Sequence, residues 1–252
     1  MKAKKCLNCE LVFDGHFCPD CGQNAKEKRI DAHYFLHDIP HSVFHIDRGF
    51  FYTLKGLFLR PGKVVEEYLM GKRVKHFRPF AYVMILTAAS ALAVKMLMWV
   101  KEKLMQVYQP GFEMPVNENF FENYFSVFIF LMIPFTSMVT WIFFAKRKYN
   151  FWEHFLANTY INAQINFIWI FMHLLSLLMI LFSKKYMEFE FGFFQLIFMA
   201  FFLYLYGSVF GHLMGHFYKY PGLILRLTIM NTILYITYAV GFYLAGFMEF
   251  PF

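Results

Sequence analysis

Residues 80–100 read FAYVMILTAASALAVKMLMWV, an apolar run broken by one charge, Lys95. A helix of that length covers about 30 Å, the thickness of a bilayer's hydrocarbon core. Four later runs repeat the signal at 125–144, 163–183, 192–214 and 223–247. The expected fold class is therefore an all-α membrane protein, with about five transmembrane helices bundled over residues 80–252. Composition agrees: 59% of the 252 residues are hydrophobic, 22% aromatic and 16% charged, whereas soluble domains carry about a quarter charged residues.

Charge predicts the orientation. Fourteen of the 24 Lys and Arg lie in residues 1–79, and Lys146, Arg147, Lys148, Lys219 and Arg226 fall on the same side of a five-span bundle. The opposite side receives Lys101, Lys103, Lys184 and Lys185. This is the positive-inside pattern. No signal peptide precedes the opening MKAKKC, so the expectation is a cytoplasmic (inner) membrane protein with its N-terminus in the cytoplasm and its C-terminus outside. In the second span Pro134 predicts a kink. The third has a polar leader, FWEHFLANTYINAQINF (151–167), holding Asn158, Asn162, Gln164 and Asn166. That helix either starts in the interface and runs past thirty residues or bends.

Working outward, the only cysteines are Cys6, Cys9, Cys18 and Cys21. Two C-x-x-C pairs eight residues apart supply the four thiolates that tetrahedral zinc prefers. A closed site leaves no vacancy for substrate, so Zn2+ is expected to be structural in a ribbon over residues 1–26. Two disulfides or a thiol redox centre are the rival readings. A reducing cytoplasm favours the metal.

Residues 27–79 read as amphipathic juxtamembrane helices. Phe50, Phe51, Leu54, Leu57 and Phe58 share one helical face, and Val64, Val65, Tyr68 and Leu69 share another. Both faces are expected on lipid, with Lys72, Arg73, Lys75 and Arg78 meeting anionic headgroups. His33, His37, His41 and His45 recur every fourth residue, a spacing that suits either a second metal site or a polar stripe; Pro40 splits them into pairs. Within the bundle, Gly207, Gly211 and Gly215 form a helix-packing stripe. His173, His212, His216 and Arg226 are candidates for an intramembrane polar site. His154, His212, His216 and Arg226 are placed within reach of water, with His173 and Lys95 deeper, and Glu66 and Glu67 on a solvated face.

Glycine-rich nucleotide loops, G-x-S-x-G and H-E-x-x-H are absent, so no catalytic residue is assigned and the balance is against an enzyme. The favoured function is a noncatalytic adaptor or assembly factor whose zinc head docks a protein partner. The alternatives are a small transporter or channel for metal ions, protons or lipid-like cargo, and then a membrane enzyme acting on a lipid. Nucleic acid is not an expected partner, because topology accounts for the net charge of +7.

The elements D-R-G-F, T-L-K, R-P-G and G-K-R-x-x-x-F-x-P carry a resemblance. They comprise Asp47, Arg48, Gly49, Thr53, Lys55, Arg60, Pro61, Gly62, Gly71, Lys72, Arg73, Phe77 and Pro79. Together with the cysteines, the first 95 or so residues resemble a bacterial domain-of-unknown-function family of small polytopic membrane proteins with an N-terminal zinc ribbon. The resemblance implies architecture and no activity.

Overall fold

Asn150 starts the longest helix. Its side chain accepts from the Glu153 amide at 2.9 Å, and the Glu153 carboxylate accepts from the Asn150 amide at 2.8 Å, a reciprocal capping box that satisfies two otherwise orphaned donors. The helix then runs unbroken from Phe151 to Ser183 and stops where Lys184 turns left-handed, φ 55°. At 33 residues it is about 50 Å long, so the polar leader is helix rather than kink. Asn150→Ala is expected to lower stability by about 1 kcal/mol, read as a fall in the thermal midpoint of the detergent-solubilised chain.

The computed structural model of the chain describes residues 3–27, 29–34, 49–114, 116–144, 148–186 and 193–215, with 226, 229, 230, 232 and 233. A hairpin of β1 (Lys4–Lys5) and β2 (Val12–Phe13) is followed by α1 (Gly49–Leu59), α2 (Pro61–Leu69) and α3 (Pro79–Tyr108). Then come α4 (Val116–Leu131), α5 (Ile133–Phe143), α6 (Phe151–Ser183) and α7 (Phe193–Leu213). The α3–α6 contact is the most extensive; α5 flanks α6, α4 packs mainly on α3, and α2 lies on α7.

Among the described residues, Pro79–Tyr108, Phe151–Ser183 and Leu196–Leu213 are long and apolar enough to cross a membrane. Tyr124–Leu131 and Ile133–Phe143 make a fourth crossing if the pair counts as one span, bent by 46°. Pro134 stands in the first turn of α5, where its missing amide ends the preceding ladder and produces the kink. The fifth expected span, 223–247, falls almost wholly outside the described residues.

Polarity is arranged inside out. On α6, Asn158, Asn162, Gln164, Asn166 and His173 are at most 2% exposed, whereas Phe182 is 88% exposed. On α3, Leu92, Met96, Trp99 and Val107 also face outward. Apolar side chains outside and hydrogen-bonded polar ones inside is the arrangement a hydrocarbon solvent imposes.

The hairpin of α1 and α2 departs from expectation. Its stripe of Leu57, Val64, Val65 and Tyr68 is buried in the core rather than laid on lipid. Glycine explains the inward placement. A Cβ on Gly62 would stand 2.4 Å from the Ser208 carbonyl oxygen and 2.5 Å from His212 Cβ, so α2 sits directly on the backbone of α7. A Cβ on Gly49 would meet the backbone of Lys75 and Phe77 at 3.2 Å. Phe51 and Leu59 remain the exposed apolar side chains of α1.

The expected glycine stripe of α7 is also revised. Gly207 and Gly211 are buried, but Gly215 lies beyond Leu213 with φ +98° and open space around it. It terminates the helix and does not pack.

Candidate metal centre and intramembrane polar seam

Each C-x-x-C builds the same turn. The Cys6 amide donates to Leu11 and its carbonyl accepts from Glu10; Cys18 does the same with Gln23 and Gly22, every bond being 2.9–3.0 Å. The residue four after each leading cysteine is left-handed, Glu10 at φ 67° and Gly22 at φ 74°. The turns aim four sulfurs inward. Cys6 Sγ lies 3.5 Å from Cys21 Sγ, Cys9 Sγ lies 3.4 Å from Cys18 Sγ, and all four fall within 4.8 Å of one another. Four sulfurs at 2.3 Å from a tetrahedral centre are about 3.8 Å apart, so the cluster is able to hold a metal ion. None of the four is in a disulfide.

Without a cation this crowding is electrostatically awkward. Burial opposes ionisation of Cys6, but the amides of Cys9 and Asn8 and the sulfur of Cys21 outweigh it and bring the thiol down to about 7. Cys9 moves up: the Leu11 amide favours its thiolate, yet burial and the other three sulfurs prevail. Burial likewise pushes Cys21 up. Four sulfurs that cannot all ionise alone become compatible around a dication.

The head is latched to the bundle. Arg29 donates to both Glu153 oxygens at 2.7 Å and to the Lys148 carbonyl at 3.0 Å, a bidentate pair of the stronger kind. Asn150 Nδ2 donates to the Ile30 carbonyl at 2.9 Å. The capping residues of α6 therefore also hold the segment following the head. A second latch uses Gln23, which donates to the Gly71 carbonyl at 2.8 Å and accepts from the Arg73 amide at 3.3 Å.

Arg73 was expected among headgroup contacts. It instead turns inward, bonding the Glu27 carboxylate and lying over the rings of Tyr34 and Tyr68 at 4.9 and 5.3 Å. Lys72, Lys75 and Arg78 remain exposed. Glu66 and Glu67 are not idle surface groups, because Glu66 contacts His212 Nε2 at 2.6 Å and Glu67 contacts His76 Nε2 at 3.1 Å.

Burial lowers the His76 pKa below its ordinary 6.5, against the pull of Glu67. Below that value the unfolded chain takes up a proton that the folded chain resists, so stability falls as pH drops from about 6.5 toward the depressed folded value. His76→Phe is expected to flatten that part of a thermal-midpoint profile.

The second centre is a seam along α6. His154, Asn158, Asn162 and Asn166 follow at intervals of four and therefore share one face. His154 Nδ1 is 3.3 Å from Thr140 Oγ1, and Asn158 donates to the same hydroxyl at 2.8 Å while accepting from Tyr206 at 3.1 Å. Tyr82 donates to Gln164 at 2.8 Å, and Asn166 donates to Thr87 at 3.1 Å. Further along, Lys101 Nζ lies 3.0 Å from His173 Nδ1. His154 Nε2, Asn166 Oδ1 and Ser176 Oγ are buried with no protein partner.

Two placements correct the sequence reading. His154, expected to reach water, is 1% exposed beneath the stacked ring of Phe210. Lys101, placed on the outer side just past the end of the first span, is within the helix and 2% exposed because α3 continues to Tyr108. The spacing of Val94, Met98, Lys101 and Met105, all buried, is the signal that reveals it. Lys95, in contrast, is exposed.

The described members of the candidate polar site each have a different partner. His173 meets Lys101, His212 meets Glu66, and Arg226 donates to the Phe143 carbonyl at 3.0 Å. His216 lies outside the described residues, as do His37, His41 and His45; His33 is exposed.

The glycine-bearing hairpin and the first turns of α3 are the part with a known relative. Residues 47–90 match the family described as a protein of unknown function, DUF3667. The matched range contains Gly49 and Gly62, whose contacts seat α1 and α2 on the bundle, and Gly71, which receives the head. The cysteine head lies outside the matched range. No curated protein and no solved structure matches the chain.

Proposed function

We propose that the chain is a small transporter or conduit moving protons or small polar solutes along the α6 seam, and that its cysteines hold one structural zinc that fastens the head over the bundle. The observation carrying this reading is the line of buried polar side chains from His154 to Ser176, about 33 Å of helix, since polar and ionisable groups within a membrane bundle mark solute and proton paths. The orphaned atoms His154 Nε2, Asn166 Oδ1 and Ser176 Oγ support it, since buried polar groups otherwise find partners or water. The charge asymmetry supports a cytoplasmic head.

The test is flux in proteoliposomes loaded with a pH-sensitive dye. The wild-type chain is expected to exceed protein-free vesicles, and Asn166→Leu and His173→Leu to return to their level with the thermal midpoint retained. Wild-type flux of protons and small cations no greater than in protein-free vesicles would reduce the seam to interhelical glue.

The adaptor remains as a second reading because the head presents Leu11, Val12 and Phe17 at 42%, 63% and 63% exposure, an apolar strip of the kind that marks a protein contact. Its test is a partner whose capture is lost when Cys6 and Cys9 become serine.

A further inference from the structure

A groove of about 440 Å³ separates the cysteine head from the α1–α2 hairpin and the loop leading into α3. That volume suits a small ligand. Its lining includes two carboxylates, Asp20 and Glu67, two ammonium groups, Lys72 and Lys75, and the ring of His76. We propose that this groove binds a phosphoethanolamine group, a zwitterion with an N–H-bearing amine at one end and a phosphate at the other. The inference does not depend on the seam or on transport.

His76 supplies the polarity. Its side chain is 2% exposed and its Nε2 is 3.1 Å from Glu67 Oε2. In the neutral ring, Nε2–H donates to that carboxylate, a tautomer assigned from the bond, and Nδ1 is left as an acceptor. Nδ1 has no protein partner. A buried acceptor without a partner calls for an N–H donor, which an ethanolamine ammonium provides and a choline trimethylammonium does not.

The lysines select the other end. Lys72 and Lys75 are exposed at the rim, where ammonium groups pair with phosphate oxygens. A plain phosphate would meet two carboxylates, and a plain amine would meet two lysines. Only a ligand carrying both charges leaves neither pair opposed. The site also stands where such a group is abundant, because His76 precedes by three residues Pro79, the first residue of the spanning helix α3.

The experiment uses the full-length purified chain in nanodiscs of phosphatidylcholine doped with phosphatidylethanolamine of the same acyl chains, with retained lipid counted by native mass spectrometry. A parallel titration uses soluble glycerophosphoethanolamine. One ethanolamine lipid per chain is expected to be retained over choline lipid, and Lys72→Gln/Lys75→Gln is expected to abolish the preference. His76→Phe, which keeps the ring against Tyr52, is expected to do the same. If glycerophosphoethanolamine also saturates at one per chain, the headgroup alone is the ligand; if only the lipid binds, the membrane is the source. Equal retention of ethanolamine and choline lipids, or a preference unchanged in the double lysine variant, overturns the proposal. The double variant alters exposed side chains, so it decides the matter even if His76→Phe does not fold.

Discussion

Cys18→Ser is expected to leave the purified chain without stoichiometric metal and to expose residues 3–27 to protease. The reason is the size of the head. Its own apolar cluster consists of Cys6, Phe13 and Cys18 with a few partly buried neighbours, far too little to offset the ordering of some two dozen residues. Structural zinc contributes about 10–16 kcal/mol of apparent binding free energy in comparable small units at neutral pH, so removing one ligand removes the main term. The effect should reach the membrane bundle, because Arg29 and Gln23 follow the last ligands and hold Glu153, Gly71 and Arg73. Cleavage after Lys26 or Arg29, together with elemental analysis, checks both halves. One zinc per Cys18→Ser chain and an intact head would contradict the assignment. On the proposed zinc reading the ligands would bind as thiolates, so acidification is expected to release the metal and produce the same cleavage pattern in the wild-type chain.

Gly62→Val is expected to separate α2 from α7. The Ser208 carbonyl that a new Cβ would meet at 2.4 Å is backbone and has no rotamer to escape into. Overpacking usually costs about 1–3 kcal/mol, and this contact belongs at or beyond the upper end. Displacing α2 also uncovers Val64 and Val65 and disturbs the Glu66–His212 pair. The comparison is Gly111→Ala, at φ +91° with nothing within 4 Å of its Cβ, where backbone conformation alone opposes the change by about 1 kcal/mol. Thermal midpoints in one detergent separate the two, and equal shifts would mean that the α2–α7 contact is not close-packed.

The contrast between these sites shows what could be read in advance. Cysteine spacing announces the four-sulfur cluster because two C-x-x-C turns each bring their sulfurs to one point. The apolar runs announce spans because only a bilayer accepts them, and Pro134 marks the break between α4 and α5 because its missing amide is a local property. The α1–α2 hairpin was misplaced because an apolar stripe reads the same whether its partner is lipid or another helix. What distinguishes the two is the close approach at Gly62, a property of the folded pair. Lys101 was placed just past the first span for a related reason: Gln109 and Pro110, not the lysine, mark where α3 ends. The α6 seam was half legible. The four-residue spacing of its asparagines is in the sequence, but their partners Thr140, Thr87 and Tyr206 come from three other helices.

Lys101→Met separates a working seam from a structural one. Methionine fills the volume of the lysine stem but takes away the contact at His173 Nδ1, a loss of about 1–3 kcal/mol that removal of a desolvated amine offsets, so the thermal midpoint should change little. Proton flux across proteoliposomes is the decisive reading. The seam as a conduit predicts that Lys101→Met, fully folded and with its metal retained, is no more permeable than protein-free vesicles, while the wild-type chain is; flux in the variant equal to that of the wild type would contradict it.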